Sequence, residues 1–445
     1  MTLARPHHRG RTIAGLGLSA VLVTWAAAPA TWAAAPATWA AVPADPAATA
    51  GPAQAAAPAG LDREALRRGL DAIHEAGMYG AYSAVRDADT DWSGAAGVAD
   101  VRTKRPVHPR MLHRVGSITK TFTAVALLQQ VERGKIELDA PVARYLPELI
   151  PGERGQKITV RTLLNHTSGI GDYISGAFPS FQQGSTASLD DNRFRDFSPE
   201  ELVGFGLEAP STGEPGQNWS YSNTNYIIVG LLLEKVTGAA AEPYITRHVI
   251  RKAGLRDTSF PRTPLIPGPH SKAYESFYGY IDPPRDYSVY DMSWAGTAGA
   301  VVSTMDDLNR FYRALLGGRL LGSAQLAQMQ TTVPVTDGQG NVVMNYGLGL
   351  YAQDLPCGRF WGHDGGVFGM GTFSLSSPDG RRQLSLGINL MKYQRFDENG
   401  VLQPHAIDFA LGDHMLQALC GPAASLAKDG RPLTPFPTQQ VLVKR

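Results

Sequence analysis

Residues 114–122 read RVGSITKTF and place Ser117 three positions before Lys120. Apolar residues follow at helical spacing, which predicts a helix over 117–133 with the serine and the lysine on one face. A serine hydroxyl is a weak nucleophile and needs an adjacent base, and a lysine with a lowered pKa provides one. This stretch therefore predicts the reactive centre of a serine hydrolase.

Two further motifs follow in the chain, and each accompanies a predicted secondary-structure element. Tyr221 and Asn223 belong to the motif YSN, which precedes an apolar helical pattern over 225–237. Residues 363–366 read HDGG and precede two strand patterns. The spacing S-x-x-K also occurs by chance, at Ser425 for example, where neither an apolar helix nor a partner motif follows. The order of the three motifs is therefore what indicates a catalytic site.

Each of the later motifs has a chemical reason to lie near the serine. The Tyr221 hydroxyl can relay a proton to a leaving group, and Asn223 can hold a substrate amide. Gly365 and Gly366 let a substrate lie close to a strand backbone, whose N–H completes an oxyanion hole. His363 and Asp364, from the same motif, complete the predicted substrate-binding residues.

Strand patterns lie at the two ends of the sequence, and helical patterns fill the middle. A hairpin is predicted over 80–98, and a strand pair over 369–390 with its turn at 377–380. Further helices are predicted over 62–76, 305–316 and 405–419. This order predicts an α+β protein whose antiparallel sheet comes from both chain ends, is flanked by helices and is interrupted by a mainly helical insertion.

Composition excludes several classes of function. The 445 residues contain 41 Lys and Arg against 40 Asp and Glu, so no strongly basic surface is predicted for nucleic acid. The 11 His include no H-E-x-x-H motif, and the 2 Cys are too far apart for a zinc-finger set. We therefore expect neither a metal ion nor an organic cofactor.

The N-terminus has the three-part pattern of a secretory signal peptide. Basic residues before position 12 precede an apolar run over 13–25 and small residues near 26–35. The alternative, a membrane anchor, is disfavoured because a spanning helix needs roughly 20 apolar residues. We therefore expect a secreted, extracellular protein without a stable membrane anchor. The predicted organisation is a signal peptide (1–35), an Ala/Pro-rich linker (36–60), the hydrolase domain (61–420) and a flexible C-terminal tail (421–445).

The two cysteines, Cys357 and Cys420, fit an exported protein. In an oxidising compartment they are expected to form a disulfide. A cysteine nucleophile is the weaker alternative, because Cys420 ends a predicted helix and Cys357 lies in a predicted turn.

The motifs and the residues around them resemble the serine penicillin-recognising family. The resemblance rests on residues 114–122, on LLNHTSG at 163–169 and on YSNTNY at 221–226, and it spans about 61–420. It is strongest to secreted D-alanyl-D-alanine carboxypeptidases of the class C β-lactamase type. It implies a β-lactamase/transpeptidase-like fold, and such carboxypeptidases have a disulfide where this chain has its cysteine pair.

The resemblance also implies an acyl-enzyme mechanism. Ser117 would attack a carbonyl carbon, and Lys120 and Tyr221 would share the proton transfers, with the identity of the acylation base left open. The oxyanion hole would be the N–H groups of Ser117 and Gly366. His363 stands where β-lactamases have a lysine. His166 matches a family motif and is expected to be structural.

Two positions depart from the family pattern. Asp364 stands where a threonine helps to bind a terminal carboxylate, and Tyr351 stands where a carboxypeptidase has an arginine. A carboxylate that faces a carboxylate is repulsive unless one is protonated or paired. Asp364 would therefore suit a substrate with a free amine or a neutral amide or ester. Alternatively, Asp364 pairs with Arg359 and the substrate carboxylate is held elsewhere.

These features predict an exported serine hydrolase, most simply a D-alanyl-D-alanine carboxypeptidase. It would act on a peptide or another small substrate derived from the cell wall, and β-lactams such as penicillins would be covalent inhibitors. An esterase, amidase or D-aminopeptidase on the same scaffold is the alternative, as is a binding protein for β-lactams or cell-wall fragments with little turnover. His363 in place of lysine makes a β-lactamase the less favoured relative.

Overall fold

The computed structural model of the protein describes residues 60–336, 340–421 and 436–438. The predicted signal peptide and most of the predicted linker, up to residue 59, lie outside these described residues, as does Ser425. The boundaries of the predicted organisation therefore stay predictions.

The helices alternate with loops through the middle of the chain. Their bounds are α1 (Arg63–Glu75), α2 (Thr119–Glu132), α3 (Gly152–Lys157), α4 (Val160–Leu164), α5 (Ile174–Ala177), α6 (Ala187–Asp191), α7 (Pro199–Glu208), α8 (Asn223–Thr237), α9 (Ala241–Ile245), α10 (Gly296–Gly299), α11 (Met305–Leu316), α12 (Ser323–Met329) and α13 (Ala406–Cys420).

The strands lie mostly near the two chain ends. Their bounds are β1 (Gly80–Asp87), β2 (Thr90–Asp100), β3 (Arg105–Pro106), β4 (His113–Arg114), β5 (Tyr274–Glu275), β6 (Arg285–Asp286), β7 (Val302–Ser303), β8 (Val333–Thr336), β9 (Val342–Tyr346), β10 (Tyr351–Leu355), β11 (Gly358–Val367), β12 (Met370–Ser376), β13 (Arg382–Ile388), β14 (Leu390–Met391), β15 (Arg395–Phe396) and β16 (Leu402–Gln403).

The largest sheet joins strands from both ends of the chain, as the sequence predicts. Its order is β3-β2-β1-β13-β12-β11-β10-β9-β8. Strand β1 pairs antiparallel with β2 on one side and with β13 on the other, with Ala81 opposite Ala96 and Ile388. The predicted α+β class and the antiparallel sheet from both chain ends are confirmed.

Helices cover both faces of this sheet. Helix α1 is amphipathic, and its buried Leu66, Leu70 and Ile73 belong to one apolar cluster with residues of α13 and the sheet. Helix α11 contacts β1, β12 and β13, and its Leu308 and Phe311 belong to a second apolar cluster. Helix α11 begins at residue 305, as predicted. The Thr304 side chain caps this helix start by accepting from the Asp307 N–H.

The helical insertion is built around α2. This helix is buried on nearly every side, from Thr119 to Gln130, and it contacts α8 and α10. A helix that is buried all round is typical of a protein interior. Residues 117–120 are therefore held at the end of a helix that is fixed by packing along its whole length.

The predicted disulfide is present. Cys357, between β10 and β11, is bonded to Cys420 at the end of α13, with a Cα–Cα distance of 5.4 Å. It ties the last helix to the strand that carries the HDGG motif.

Among the described residues, helices long and apolar enough to cross a membrane are absent.

Candidate active site

Ser117 lies in a tight turn rather than in the first turn of α2. Residues Gly116–Ile118 form a single 3₁₀ turn, and α2 begins at Thr119, so the predicted helix start was two residues early. Gly116 has a φ of +53°, and a Cβ there would lie 2.7 Å from the Gly366 N. Only glycine fits this position, because it tolerates the left-handed conformation and the close approach of β11.

Lys120 is fully buried and points at the serine. Its Nζ lies 3.0 Å from Ser117 Oγ, 2.7 Å from Asn223 Oδ1 and 2.8 Å from the Ala298 carbonyl oxygen. Burial lowers the pKa of Lys120 to about 7, although the charges of Asp172 and Asp364 oppose the shift. The ammonium and the neutral amine are therefore both accessible near neutral pH.

Tyr221 lines the same cleft as Ser117. Its buried hydroxyl is close to the side chains of Ser117 and Thr438, and its ring centroid is 4.8 Å from Lys120 Nζ. Burial raises the pKa of Tyr221 well above its ordinary value. The side chain is therefore a neutral phenol that holds a proton close to the serine oxygen.

Asn223 is oriented by a residue that the sequence motifs do not include. Its Nδ2 donates to Asp172 Oδ2 at 2.8 Å, and its backbone N–H donates to the same oxygen at 3.0 Å. These contacts leave Oδ1 to accept from Lys120. Burial raises the pKa of the Asp172 carboxyl. Asp172 is a single acid in a glycine-rich loop, so its only sequence signal is its place shortly after the 163–169 motif.

His166 packs beneath this group. Its Nδ1 accepts from the Ser222 N–H at 3.2 Å, and its ring lies 4.3 Å from the Tyr221 ring, centroid to centroid. Burial lowers the pKa of His166 well below its ordinary value. The neutral ring thus supports the loop that carries Tyr221.

The HDGG motif lies inside β11 and not in front of a strand. Residues His363 to Gly366 pair with Ser374 to Gly371 of β12. A Cβ on Gly365 would lie 2.0 Å from the Val115 carbonyl oxygen and 2.8 Å from the Ser117 N. The two glycines therefore bring the β11 backbone directly against the serine turn, with the N–H groups of Ser117 and Gly366 in the same small region.

His363 is buried and neutral. Its Nδ1 donates to the Asp364 carbonyl oxygen at 2.5 Å, which leaves Nε2 to accept from the Tyr346 hydroxyl at 2.9 Å. Burial lowers the pKa of His363 to about 3. This side chain therefore brings no positive charge to the cleft at neutral pH.

Asp364 contacts the C-terminal segment rather than Arg359. Its carboxylate oxygens accept from the Thr438 N–H at 3.3 Å and from Thr438 Oγ1 at 3.0 Å. Arg359 instead forms a surface ion pair with Asp354, with nitrogen–oxygen distances of 2.7 and 2.8 Å. The alternative in which Arg359 neutralises Asp364 is therefore wrong, because the Arg359 side chain is turned to the surface.

A cleft runs along the serine turn and the end of β11. It is lined by residues that include Ser117, Tyr221, Trp294, Phe368 and Lys392. Lys392 is paired with Glu275, since its Nζ lies 3.0 Å from Glu275 Oε2. Within the part of the chain that the structure describes, groups of three acidic, histidine or cysteine side chains arranged to hold a metal ion are absent.

This α+β scaffold has the β-lactamase/transpeptidase-like fold. Together with the buried serine, lysine and tyrosine, the fold identifies a serine hydrolase of the penicillin-binding protein and β-lactamase superfamily. The model of the beta-lactamase family matches residues 63–399, and the chain belongs to that family.

Similar proteins differ in the reactions that their names describe. A D-stereospecific amidohydrolase from Streptomyces sp. is 36% identical, covers 81% of this chain and all of its own, and superposes with a TM-score of 0.71. A D-amino acid amidase from Ochrobactrum anthropi SV3, complexed with L-phenylalanine amide, is 25% identical, with 80% and 98% coverage and a TM-score of 0.67. Penicillin-binding protein 4* of Bacillus subtilis is 29% identical over 68% of this chain, which spans 66% of that relative's length.

Proposed function

We propose that the chain is a serine amidohydrolase that forms an acyl-enzyme on Ser117 and acts on D-configured amino acid amides or peptides whose reacting end has no free carboxylate. The observation that carries the choice of substrate is the buried carboxylate of Asp364, which lies two residues before Gly366 in β11 and is bonded to Thr438 on the cleft wall. The mechanism rests on the geometry of Ser117, Lys120 and Tyr221.

Lys120 is the proposed acylation base. As an ammonium it has three protons for three acceptors, namely Ser117 Oγ, Asn223 Oδ1 and the Ala298 carbonyl oxygen. The neutral amine has two protons, which it donates to Asn223 Oδ1 and the Ala298 carbonyl oxygen, and its lone pair then points at Ser117 Oγ. The Ser117 hydroxyl then donates to Nζ and loses its proton as the oxygen attacks the substrate carbonyl carbon.

Tyr221 is the proposed proton donor to the leaving group. Its raised pKa keeps the phenol protonated, and its hydroxyl is close to the Ser117 side chain. As the C–N bond of the substrate breaks, Tyr221 gives its proton to the departing amine and regains one from Lys120. Water then hydrolyses the ester on Ser117, with the same groups accepting its proton.

The oxyanion hole is the proposed role of the backbone at Ser117 and Gly366. The negative charge that develops on the substrate carbonyl oxygen needs two donors held in place before the reaction. The close packing of the serine turn against β11 holds these two N–H groups together. Asn223 is proposed to contact the substrate amide and to orient Lys120.

Charge around Asp364 argues for an amide, ester or amine rather than a terminal carboxylate. His363 is neutral, Tyr351 is a buried phenol, and Arg359 is paired with Asp354. A substrate carboxylate beside Asp364 would meet like charge in a buried place, which is costly. A carboxamide NH₂ or an ammonium group would instead donate to it. The names of the amidohydrolase and the amidase agree with this choice, and they are the support for D-configuration.

A D-alanyl-D-alanine carboxypeptidase is the second candidate. The observation in its favour is Lys392, a cation on the wall of the cleft that could receive a terminal carboxylate. Its partner Glu275 would then have to share the lysine with the substrate. Covalent acylation by penicillins is expected under either candidate, because it requires the nucleophile and the oxyanion hole, but it should be slower for the amidohydrolase, since the penicillin carboxylate would meet the charge of Asp364.

The test compares D-Ala-D-Ala with its C-terminal amide as substrates. We expect kcat/KM for release of the C-terminal residue from the amidated form to exceed kcat/KM for its release from the free acid by at least tenfold. Asp364→Asn should reduce this ratio, because it removes the like charge. Asp354→Asn is the matched control on the neighbouring strand β10 and should leave the ratio unchanged. A preference of the wild type for the free acid would establish the carboxypeptidase instead.

Export is proposed on separate grounds. The basic and apolar segments at 1–35 have the signal-peptide pattern, and the disulfide between Cys357 and Cys420 suits an oxidising compartment. N-terminal sequencing of the protein from the culture medium of an expressing bacterium would locate the cleavage point. Retention of the intact N-terminus inside the cell would contradict export.

A further inference from the structure

The segment Phe436–Thr438, far along the chain from the motifs, reaches the cleft through Thr438. Thr438 is 3% exposed and lines the cleft together with Ser117 and Tyr221. Its N–H and its hydroxyl donate to the two carboxylate oxygens of Asp364, at 3.3 and 3.0 Å. The same hydroxyl is close to the side chain of Tyr221, and both residues line the cleft. One residue thus contacts both the proposed proton donor and the proposed selectivity group.

Phe436 anchors this segment on the sheet. Its ring packs edge-on against Phe373 of β12, with centroids 5.9 Å apart. A Cβ on Gly371, which pairs with Gly366 across β11 and β12, would lie 3.1 Å from the tip of the Phe436 ring. The aromatic ring therefore fits over a glycine at the strand position opposite the proposed oxyanion donor.

The contacts of Thr438 occupy the carboxylate of Asp364, which is proposed to bind the substrate amide. A substrate amide bound by Asp364 would donate where the Thr438 N–H and hydroxyl now donate. With the segment in place, the open volume of the cleft is about 70 Å³, whereas clefts that bind small molecules usually enclose several hundred. Thr438 and a substrate therefore cannot occupy this part of the cleft together.

We propose that Phe436–Thr438 is an intramolecular occupant of the substrate cleft, which competes with substrate for Asp364 and leaves when substrate binds. The part of this inference that concerns Asp364 rests on the proposed function. Because the segment is tethered to the enzyme, its effective concentration is in the millimolar range, so that few contacts suffice to hold it. The effect on the reaction is competitive: it raises the apparent KM and leaves kcat unchanged.

The test measures kcat and KM for three variants of the full chain, with D-phenylalanine amide and p-nitrophenyl acetate as substrates. Thr438→Val keeps the shape of the side chain and removes its hydroxyl, and Phe436→Ala removes the aromatic anchor. Ser425→Ala is the control in the same C-terminal sequence. We expect KM to fall up to about tenfold in the first two variants, since a hydrogen bond to a charged group is lost in one and apolar packing in the other.

An unchanged or increased KM in both Thr438→Val and Phe436→Ala would overturn the proposal, since the segment would then be neutral or would help to bind substrate. A decreased KM for Ser425→Ala alone would also overturn it.

The acetate ester tests the occupant without relying on the amide. If only the ester is hydrolysed and its KM falls, the proposed substrate class fails and the occupant stands. If the amide is hydrolysed and its KM is unchanged in both variants, the occupant fails and the proposed substrate class stands.

Discussion

At the scale of single residues, the site depends on how Lys120 is held. Burial lowers its pKa to about 7, and three acceptors fix the position of Nζ. A lysine on the surface would be an ammonium at neutral pH and could not accept the serine proton. The interior position at the start of α2 thus suits Lys120 to its proposed role as a base.

The first prediction concerns the pH dependence of acylation. The lowered pKa means that the neutral amine increases as pH rises through about 7, so kcat/KM should rise over the same range and level off above it. Asp172→Asn should move this limb to lower pH, because the charge of Asp172 opposes the downward shift. A stopped-flow pH profile of p-nitrophenyl acetate hydrolysis measures both. A profile that is flat from pH 5 to 8 would contradict the role of Lys120.

At the scale of secondary-structure elements, the contact between the serine turn and β11 decides whether the proposed oxyanion hole can form. Gly365 faces the Val115 carbonyl and the Ser117 N, and Gly116 faces Gly366. Glycine at these positions lets two backbones approach without a side chain between them. The strand also carries Asp364, so one element supplies both the proposed oxyanion donor and the proposed selectivity group.

The second prediction is that Gly365→Ala separates these elements. The new Cβ would lie 2.0 Å from the Val115 carbonyl oxygen, a backbone atom that cannot move aside by a rotamer change. We expect kcat to fall at least a hundredfold, comparable to the loss of an oxyanion donor. Gly204→Ala in α7 is the control, because a Cβ there has nothing within 4 Å. Wild-type kcat in Gly365→Ala, with a normal circular dichroism spectrum, would contradict this role of the contact.

The sequence predicts most of these elements, because each has a regular pattern. The hairpin over 80–98 and the helices at 62–76, 305–316 and 405–419 appear within a few residues of their predicted bounds. The HDGG motif was predicted to precede a strand and lies within β11, since two adjacent glycines resemble a loop in sequence. The pairing with β12 and the packing on the serine turn, which the sequence does not reveal, hold those glycines in a strand.

At the scale of the whole molecule, residues from distant parts of the chain meet at the site. Asp172 and Thr438 were missed by sequence reasoning for this reason. Asp172 has no regular spacing from another motif, and Thr438 lies in a Pro- and Gly-containing stretch without a helical or strand pattern. Only the fold brings Asp172 to Asn223 and Thr438 to Asp364.

The third prediction concerns the disulfide, which ties α13 to the strand of the site. Cys357 and Cys420 are 63 residues apart, and a loop of that size corresponds to roughly 4 kcal/mol in the chain-entropy model. The double variant Cys357→Ser/Cys420→Ser should therefore melt several degrees lower in differential scanning calorimetry while hydrolysis at 25 °C continues. An unchanged melting temperature would show that packing of α13 alone holds this end of the molecule.

The central claim is that Ser117 forms the acyl-enzyme. The direct measurement is intact-protein and peptide mass spectrometry after acid quenching of a prolonged incubation with a large excess of benzylpenicillin, which offsets the repulsion between its carboxylate and Asp364. We predict one adduct, on the peptide that contains Ser117, and none in a folded Ser117→Ala variant, whereas Ser425→Ala should be labelled like the wild type. An adduct on any other residue, or full hydrolysis of D-phenylalanine amide by Ser117→Ala, would contradict the account.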